Sequence, residues 1–172
     1  MKKLITLSLI AFGMAATPAF AQDAEQNVET YVGVTGGYHD IGVGVPRDNG
    51  GIFGAVAGVD VPLGGKLVIG LEGNYNIGTG AIDSEYGIAT KLGVNVSDKA
   101  QLYVRGGYQE INFDLAHVAG GPVPAGLDDT DGDYLVGLGG RFKLNDSVAL
   151  RLNADTISFD STRLTAGVQF HF

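Results

Sequence analysis

Tyr134-Leu135-Val136-Gly137-Leu138-Gly139-Gly140-Arg141-Phe142-Lys143-Leu144 decides how this chain folds. Tyr134, Val136, Leu138, Phe142 and Leu144 share one parity, while Gly137, Gly139, Arg141 and Lys143 share the other. Period two is the signature of a strand with two unlike faces. Its length is also informative: a tilted strand needs about 9–11 residues to cross a bilayer, whereas strands of soluble sheets average about half that.

The same rule holds outward from this stretch. Apolar residues share a parity in Leu67, Ile69, Leu71, Tyr75 and Ile77, again in Tyr86, Ile88, Leu92, Val94 and Val96, and again in Leu164, Ala166, Val168, Phe170 and Phe172. Strands are expected at roughly 30–39, 51–61, 66–77, 84–96, 100–111, 132–144, 147–157 and 162–172. Charged residues within them take the opposite parity: Asp60, Glu72, Lys91, Arg105, Arg141, Lys143, Arg151, Asp155 and Arg163. A lysine or arginine facing lipid at mid-bilayer costs about 2–4 kcal/mol, so the apolar face is expected outside, against lipid, and the charges inside. A soluble barrel would give the same alternation. It would, however, put Gly33, Gly54, Gly70, Gly87, Gly107 and Gly137 on its solvent face, where glycine only weakens a strand.

Links between the strands alternate in length. Pro62-Leu63-Gly64-Gly65, Ser97-Asp98-Lys99 and Asn145-Asp146 are tight turns, built from turn-forming residues. Asp40–Gly50, Gly78–Asp83 and Asn112–Asp131 are longer, with Ser158–Ser161 shorter than these. Short turns on one side and loops on the other describe a bacterial outer-membrane barrel. Tyr38, Phe53, Tyr75, Tyr86, Tyr108 and Tyr134 then fall near the loop end of the apolar face, and Phe142, Phe170 and Phe172 near its turn end. Two aromatic girdles belong at two membrane interfaces. The fold expected is all-β, an eight-stranded antiparallel up-and-down transmembrane barrel in the bacterial cell outer membrane.

Met1-Lys2-Lys3, the apolar run Leu4 to Ala16 and the small-x-small site Ala19-Phe20-Ala21 read as a cleavable signal peptide over residues 1–21. Residues 22–172 are then the barrel domain. Losing Lys2 and Lys3 takes the net charge from −8 to about −10, a poor match to nucleic acid, whose phosphates demand a basic patch. Cysteine is absent, so no disulfide framework is available.

The glycine-rich alternating strands and the ending Thr165-Ala166-Gly167-Val168-Gln169-Phe170-His171-Phe172 resemble the opacity-type and outer-membrane-protein-A-like family of small barrels, often grouped with porins. The resemblance implies that Phe170 and Phe172 form the C-terminal signal read by the barrel-assembly machinery after delivery by periplasmic chaperones. It also implies outer-membrane lipids and lipopolysaccharide as surroundings. Larger members carry a peptidoglycan-binding domain after the barrel, a role not implied here.

Glu72, Lys91, Arg105, Arg141, Arg151, Asp155 and Arg163 are expected to form a charge network in the lumen, with Glu72 beside Lys91 and Asp155 beside Arg163. Paired charges lock a narrow interior, because a buried charge is costly unless matched. The alternative is a small ion-conducting pore, favouring anions because cations outnumber carboxylates in this set. His39 and Asp40 at the outer rim, with Ser84, Ser158 and Ser161, could make a lipid A- or phospholipid-modifying enzyme. No nucleophile motif surrounds these serines, and the expectation is no enzyme, no cofactor and no metal. Asp128, Asp129, Asp131 and Asp133 could hold Ca²⁺ weakly, but their order fails the EF-hand pattern. The 112–131 loop, with Phe113, Leu115, Val118 and Val123, is the expected recognition surface for a ligand outside the cell. The function expected is non-enzymatic: an envelope-structural barrel with adhesive or surface-recognition loops.

Overall fold

The computed structural model describes residues 28–42, 49–121 and 130–172. The segment read as a signal peptide lies outside the described residues, as do Val123, Asp128 and Asp129. Eight strands follow one another: β1 (Glu29–Asp40), β2 (Asn49–Gly64), β3 (Leu67–Gly78), β4 (Ile82–Asn95), β5 (Ala100–Phe113), β6 (Thr130–Lys143), β7 (Val148–Ile157) and β8 (Thr162–His171). Each pairs antiparallel with the next, and β1 pairs with β8 to close the barrel. Across that seam Tyr31 faces His171 and Asp40 faces Thr162. Closure removes every sheet edge, which a strand in lipid cannot leave unpaired.

The outer face is the apolar one. Leu138 is 63% exposed, Leu152 64% and Leu71 48%, values that only a lipid environment accommodates for so many large side chains. The aromatic girdle at the loop end follows from register: Tyr75 pairs with Tyr86 and Tyr108 with Tyr134. All six of its members are exposed. At the turn end, Phe170 pairs with Val148 on one side and Val32 on the other. Among the described residues no helix is long and apolar enough to cross a membrane; the crossing is made by strands.

Three features depart from the sequence reading. First, several strands run further toward the loops, β5 to Phe113 and β6 from Thr130, because their ladder continues to Asn112 opposite Thr130. The expected 112–131 loop is correspondingly shorter and contains a one-turn helix, α1 (Leu115–Ala119). Asp114 caps it by accepting the His117 N–H, and Gly120 ends it at φ 68°, a left-handed cap that favours glycine.

Second, the interior is not polar throughout. Ile52, Ile82, Ala89, Ile111, Leu135 and Ile157 form a buried apolar cluster, with Ile41 and Phe113 packed against it. Ile52, Ile111, Leu135 and Ile157 have the parity of the charged residues, so alternation alone turns them inward. Ile82 arrives by another route: an irregularity between Ile82 and Ser84 shifts the register, and an extra residue flips a side chain to the other face.

Third, small inward residues are expected to make room for the long arginines of a narrow lumen, but several inward glycines lie instead against tyrosine, carboxylate and amide groups. A Cβ on Gly58 would strike the Tyr31 ring, and one on Gly139 the Tyr103 ring. Cβ atoms on Gly70 and Gly137 would strike Asp60 and Asp155.

Candidate functional site in the lumen and at its mouth

Inward alternation on seven strands, β2 to β8, brings nine fully charged side chains into the barrel, each at most 6% exposed: Asp60, Glu72, Glu85, Asp155, Lys91, Arg105, Arg141, Arg151 and Arg163. Glu72 on β3 is the centre. Its carboxylate takes two parallel bonds from Arg151, at 2.6 and 2.8 Å, one from the Tyr31 hydroxyl at 2.6 Å, and lies 3.2 Å from Arg105. Paired donors on one guanidinium give this contact direction as well as strength. Lys91 stands 3.8 Å from Glu72 but 2.9 Å from Asp60, so Asp60 is its main partner. Its ammonium also donates to the Tyr31 hydroxyl at 2.7 Å and lies 4.6 Å from the centre of that ring.

The network runs the length of the lumen. Toward the turns, Arg141 lies 3.2 Å from Asp60 and 3.0 Å from Glu29, which also binds Lys143. Toward the loops, Asp155 pairs with Arg163 at 3.0 Å and approaches Arg105 at 3.5 Å. Arg163 reaches on to Glu85 at 2.7 Å. Thus the seven residues expected in the lumen are together, and Asp60, Glu85, Glu29 and Tyr31 complete the set. Glu85 has the same parity as Lys91, which is the signal that would have found it. With Glu85 included, five cations face four carboxylates, and Glu29 and Lys143 add one of each. The expected cationic excess is therefore only one charge.

Three cavities bounded by described residues lie along the lumen. A vestibule of about 300 Å³ opens at the turn end beside Glu29, Arg141 and Lys143. A mouth pocket of about 280 Å³ opens at the loop end. Between them, beside Glu72, Asn74 and Arg105, the void is about 10 Å³, room for about one water.

The rim residues are arranged differently from expectation. His39 is fully buried rather than a polar rim residue. Its Nδ1 lies 2.7 Å from Glu85 Oε2 and its Nε2 lies 3.4 Å from Ser161 Oγ. Glu85 is held in turn by Arg163 and by the Asn76 amide at 2.9 Å. Ser161 Oγ also donates to the Ile157 carbonyl at 3.1 Å. Asp40 is not part of this group and accepts from the Gly42 N–H. Nor are the other two serines: Ser84 accepts from Asn112, and Ser158 donates to Asp133 at 2.6 Å.

The turn that carries Ser161 is held in an unusual shape. Ser158 and Phe159 have φ of 57° and 60°, a left-handed backbone costing about 1–3 kcal/mol for a non-glycine residue. The Ser158–Asp133 bond, the Ser158 N–H to Tyr134 carbonyl bond and the packing of Phe159 on Tyr134 (5.4 Å between ring centres) oppose that cost. Among the described residues, no group of three side chains could hold a metal ion.

Comparisons with known proteins agree with this architecture. The family model described as "Outer membrane protein beta-barrel domain" matches residues 7–172. Among solved structures, the attachment invasion locus protein Ail of Yersinia pestis superposes with a TM-score of 0.57 at 12% identity, covering 84% of this chain and 98% of that one. The N-terminal barrel of Pseudomonas aeruginosa OprF gives 0.56 at 10% identity (84% and 97%), and neisserial surface protein A gives 0.54 at 14% (84% and 97%). At these identities the likeness is one of fold. No curated protein sequence matches the chain. The lipid-facing apolar band, its two aromatic girdles and the family match place the barrel in the bacterial outer membrane. By a match that spans nearly its whole length, the chain belongs to the outer membrane protein beta-barrel family.

Proposed function

We propose that this barrel serves the envelope as a closed structural element and presents its loops as a recognition surface. The observation that carries the reading is the lumen: a continuous run of paired charges, with room for about one water at its middle. Charges matched at 2.6–3.2 Å around Glu72 resist opening, because exposing one partner leaves the others buried and unpaired. An ion path would need several of these pairs to separate together. The alternative reading, a small pore, has no comparable observation behind it.

Ail has been solved with the heparin analogue sucrose octasulfate. The charge at the loop end of this barrel argues for a different ligand here. Asp40, Asp83, Asp114, Asp131, Asp133 and Asp160 lie at or between the strand ends there, and such a field repels sulfated glycans. A neutral or cationic surface partner fits better. Residues 1–21 as a cleaved signal, residues 22–172 as the barrel domain, and Phe170 and Phe172 as the assembly signal complete the proposal, with periplasmic chaperones and the barrel-assembly machinery as partners in biogenesis.

Reconstitution of the refolded protein in planar bilayers tests the closed lumen. The expected result is a quiet bilayer. Discrete single-channel steps from folded protein overturn the reading in favour of the pore.

A further inference from the structure

We infer that Ser161, His39 and Glu85 form a nucleophilic site that acts on small esters entering from outside the cell. The inference goes beyond the structural role proposed above and rests on geometry that links three separated parts of the chain. His39 Nδ1 meets Glu85 Oε2 at 2.7 Å, and His39 Nε2 meets Ser161 Oγ at 3.4 Å. This is the atom-by-atom order in which a carboxylate fixes the imidazole tautomer and leaves Nε2 bare to take a hydroxyl proton. Catalytic hydrogen bonds are often long before substrate binds. At present the Ser161 hydroxyl also has the Ile157 carbonyl as acceptor, at 3.1 Å. Rotation about its Cβ–Oγ bond turns the hydroxyl hydrogen from that acceptor toward His39 Nε2.

Two further observations point the same way. The turn that delivers Ser161 keeps left-handed Ser158 and Phe159, and such strain persists where surrounding contacts over-determine it. Ser161 also lines the mouth pocket of about 280 Å³, whose apolar wall is Ile41, Ile111, Phe113, Leu115 and Ile157. A binding pocket with an apolar wall and a few polar groups is the usual setting for a small ligand.

The pocket also sets the substrate class. At about 280 Å³ it lies at the small end of ligand pockets, which run from roughly 300 to 1,000 Å³, so it suits a short acyl group better than the long chain of a membrane lipid. Asp131, Asp133 and Asp160 line it as well and repel anionic esters. The site therefore takes neutral or cationic esters with a short apolar group. As Ser161 Oγ bonds to the ester carbonyl carbon, its proton passes to His39 Nε2. Collapse of the adduct breaks the bond to the alkoxy oxygen, which leaves as the alcohol with that proton. Water then repeats the sequence on the acyl-serine and releases the acid. Glu85 is a positioning residue, holding His39 while Arg163 and Asn76 hold Glu85.

The test uses the full refolded chain in detergent micelles and a neutral short-chain alkyl fluorophosphonate. This probe forms a stable phosphonyl-serine as fluoride leaves. Mass spectrometry is expected to find the adduct on the peptide that contains Ser161, and Ser161→Ala should abolish it. His39→Gln should slow labelling about a hundredfold or more, the usual contribution of a general base. Glu85→Gln should slow it and shift its pH profile, which a purely structural role would not do. Heat-dependent gel mobility shows that each variant is folded. Folded wild-type protein that stays unlabelled at Ser161 overturns the inference, as does labelling whose rate ignores His39→Gln. Bilayer conductance is a separate readout, so this site and the closed lumen can fail independently.

Discussion

Glu72→Gln is the sharpest probe of the lumen, because it keeps the side-chain shape and removes one negative charge. In the folded protein that carboxylate accepts both Arg151 bonds, at 2.6 and 2.8 Å, and the Tyr31 hydroxyl at 2.6 Å, and stands 3.2 Å from Arg105. Arg105 keeps Asp155 at 3.5 Å and Lys91 keeps Asp60 at 2.9 Å. Among the described residues Arg151 has no second carboxylate within 4 Å, so the variant leaves a guanidinium almost wholly buried without a counter-charge. Removing one partner of a buried pair costs about 3–5 kcal/mol, between two and four decades in the folding equilibrium. Urea unfolding in lipid vesicles, followed by gel mobility, measures it, provided the denaturant slope is unchanged. Glu72→Gln combined with Arg151→Met should recover much of the loss, since exchanging a whole buried pair for apolar groups is often close to neutral. A loss below about 1 kcal/mol for the single variant, the size seen for exposed pairs, would refute the picture of a dehydrated lock.

Three other outcomes are expected. Leu71→Arg places a guanidinium on the lipid face of β3 and should cost about 2–4 kcal/mol in vesicle refolding, with poor recovery in outer-membrane fractions; normal folding would contradict the assignment of the outer face. Leu135→Ala opens a cavity in the apolar cluster at the loop end and should destabilise by about 2–5 kcal/mol in the same assay, whereas a solvated lumen would give almost no change. Gly58→Ala drives a methyl into the Tyr31 ring and should cost about 1–3 kcal/mol, with an altered Tyr31 fluorescence signature as the check that this contact is the one disturbed.

Much of the barrel was legible because its strongest signal is local. A strand turns successive side chains to opposite faces whatever lies across from it. Leu138 therefore faces lipid and Arg141 faces inward by position alone. The same reasoning extended to Glu85, Ile111, Leu135 and Ile157 would have found the fourth carboxylate and most of the apolar cluster. Ile82 was beyond it, because the register irregularity beside Ser84 changes its face without a mark in the local pattern.

By itself, then, the sequence determined the number of strands, which face meets lipid, the two aromatic girdles and the set of charges inside, all consequences of a two-residue period and a bilayer's thickness. Only the tertiary structure decided who partners whom. Strand stagger around a closed barrel sets the height of each side chain, and it gives Lys91 chiefly to Asp60, Arg151 to Glu72 and Arg163 to both Asp155 and Glu85. Closure also brings His39 of β1, Glu85 of β4 and Ser161 before β8 within bonding distance. Residues 122 positions apart meet only when the first and last strands pair, and no local pattern records that event.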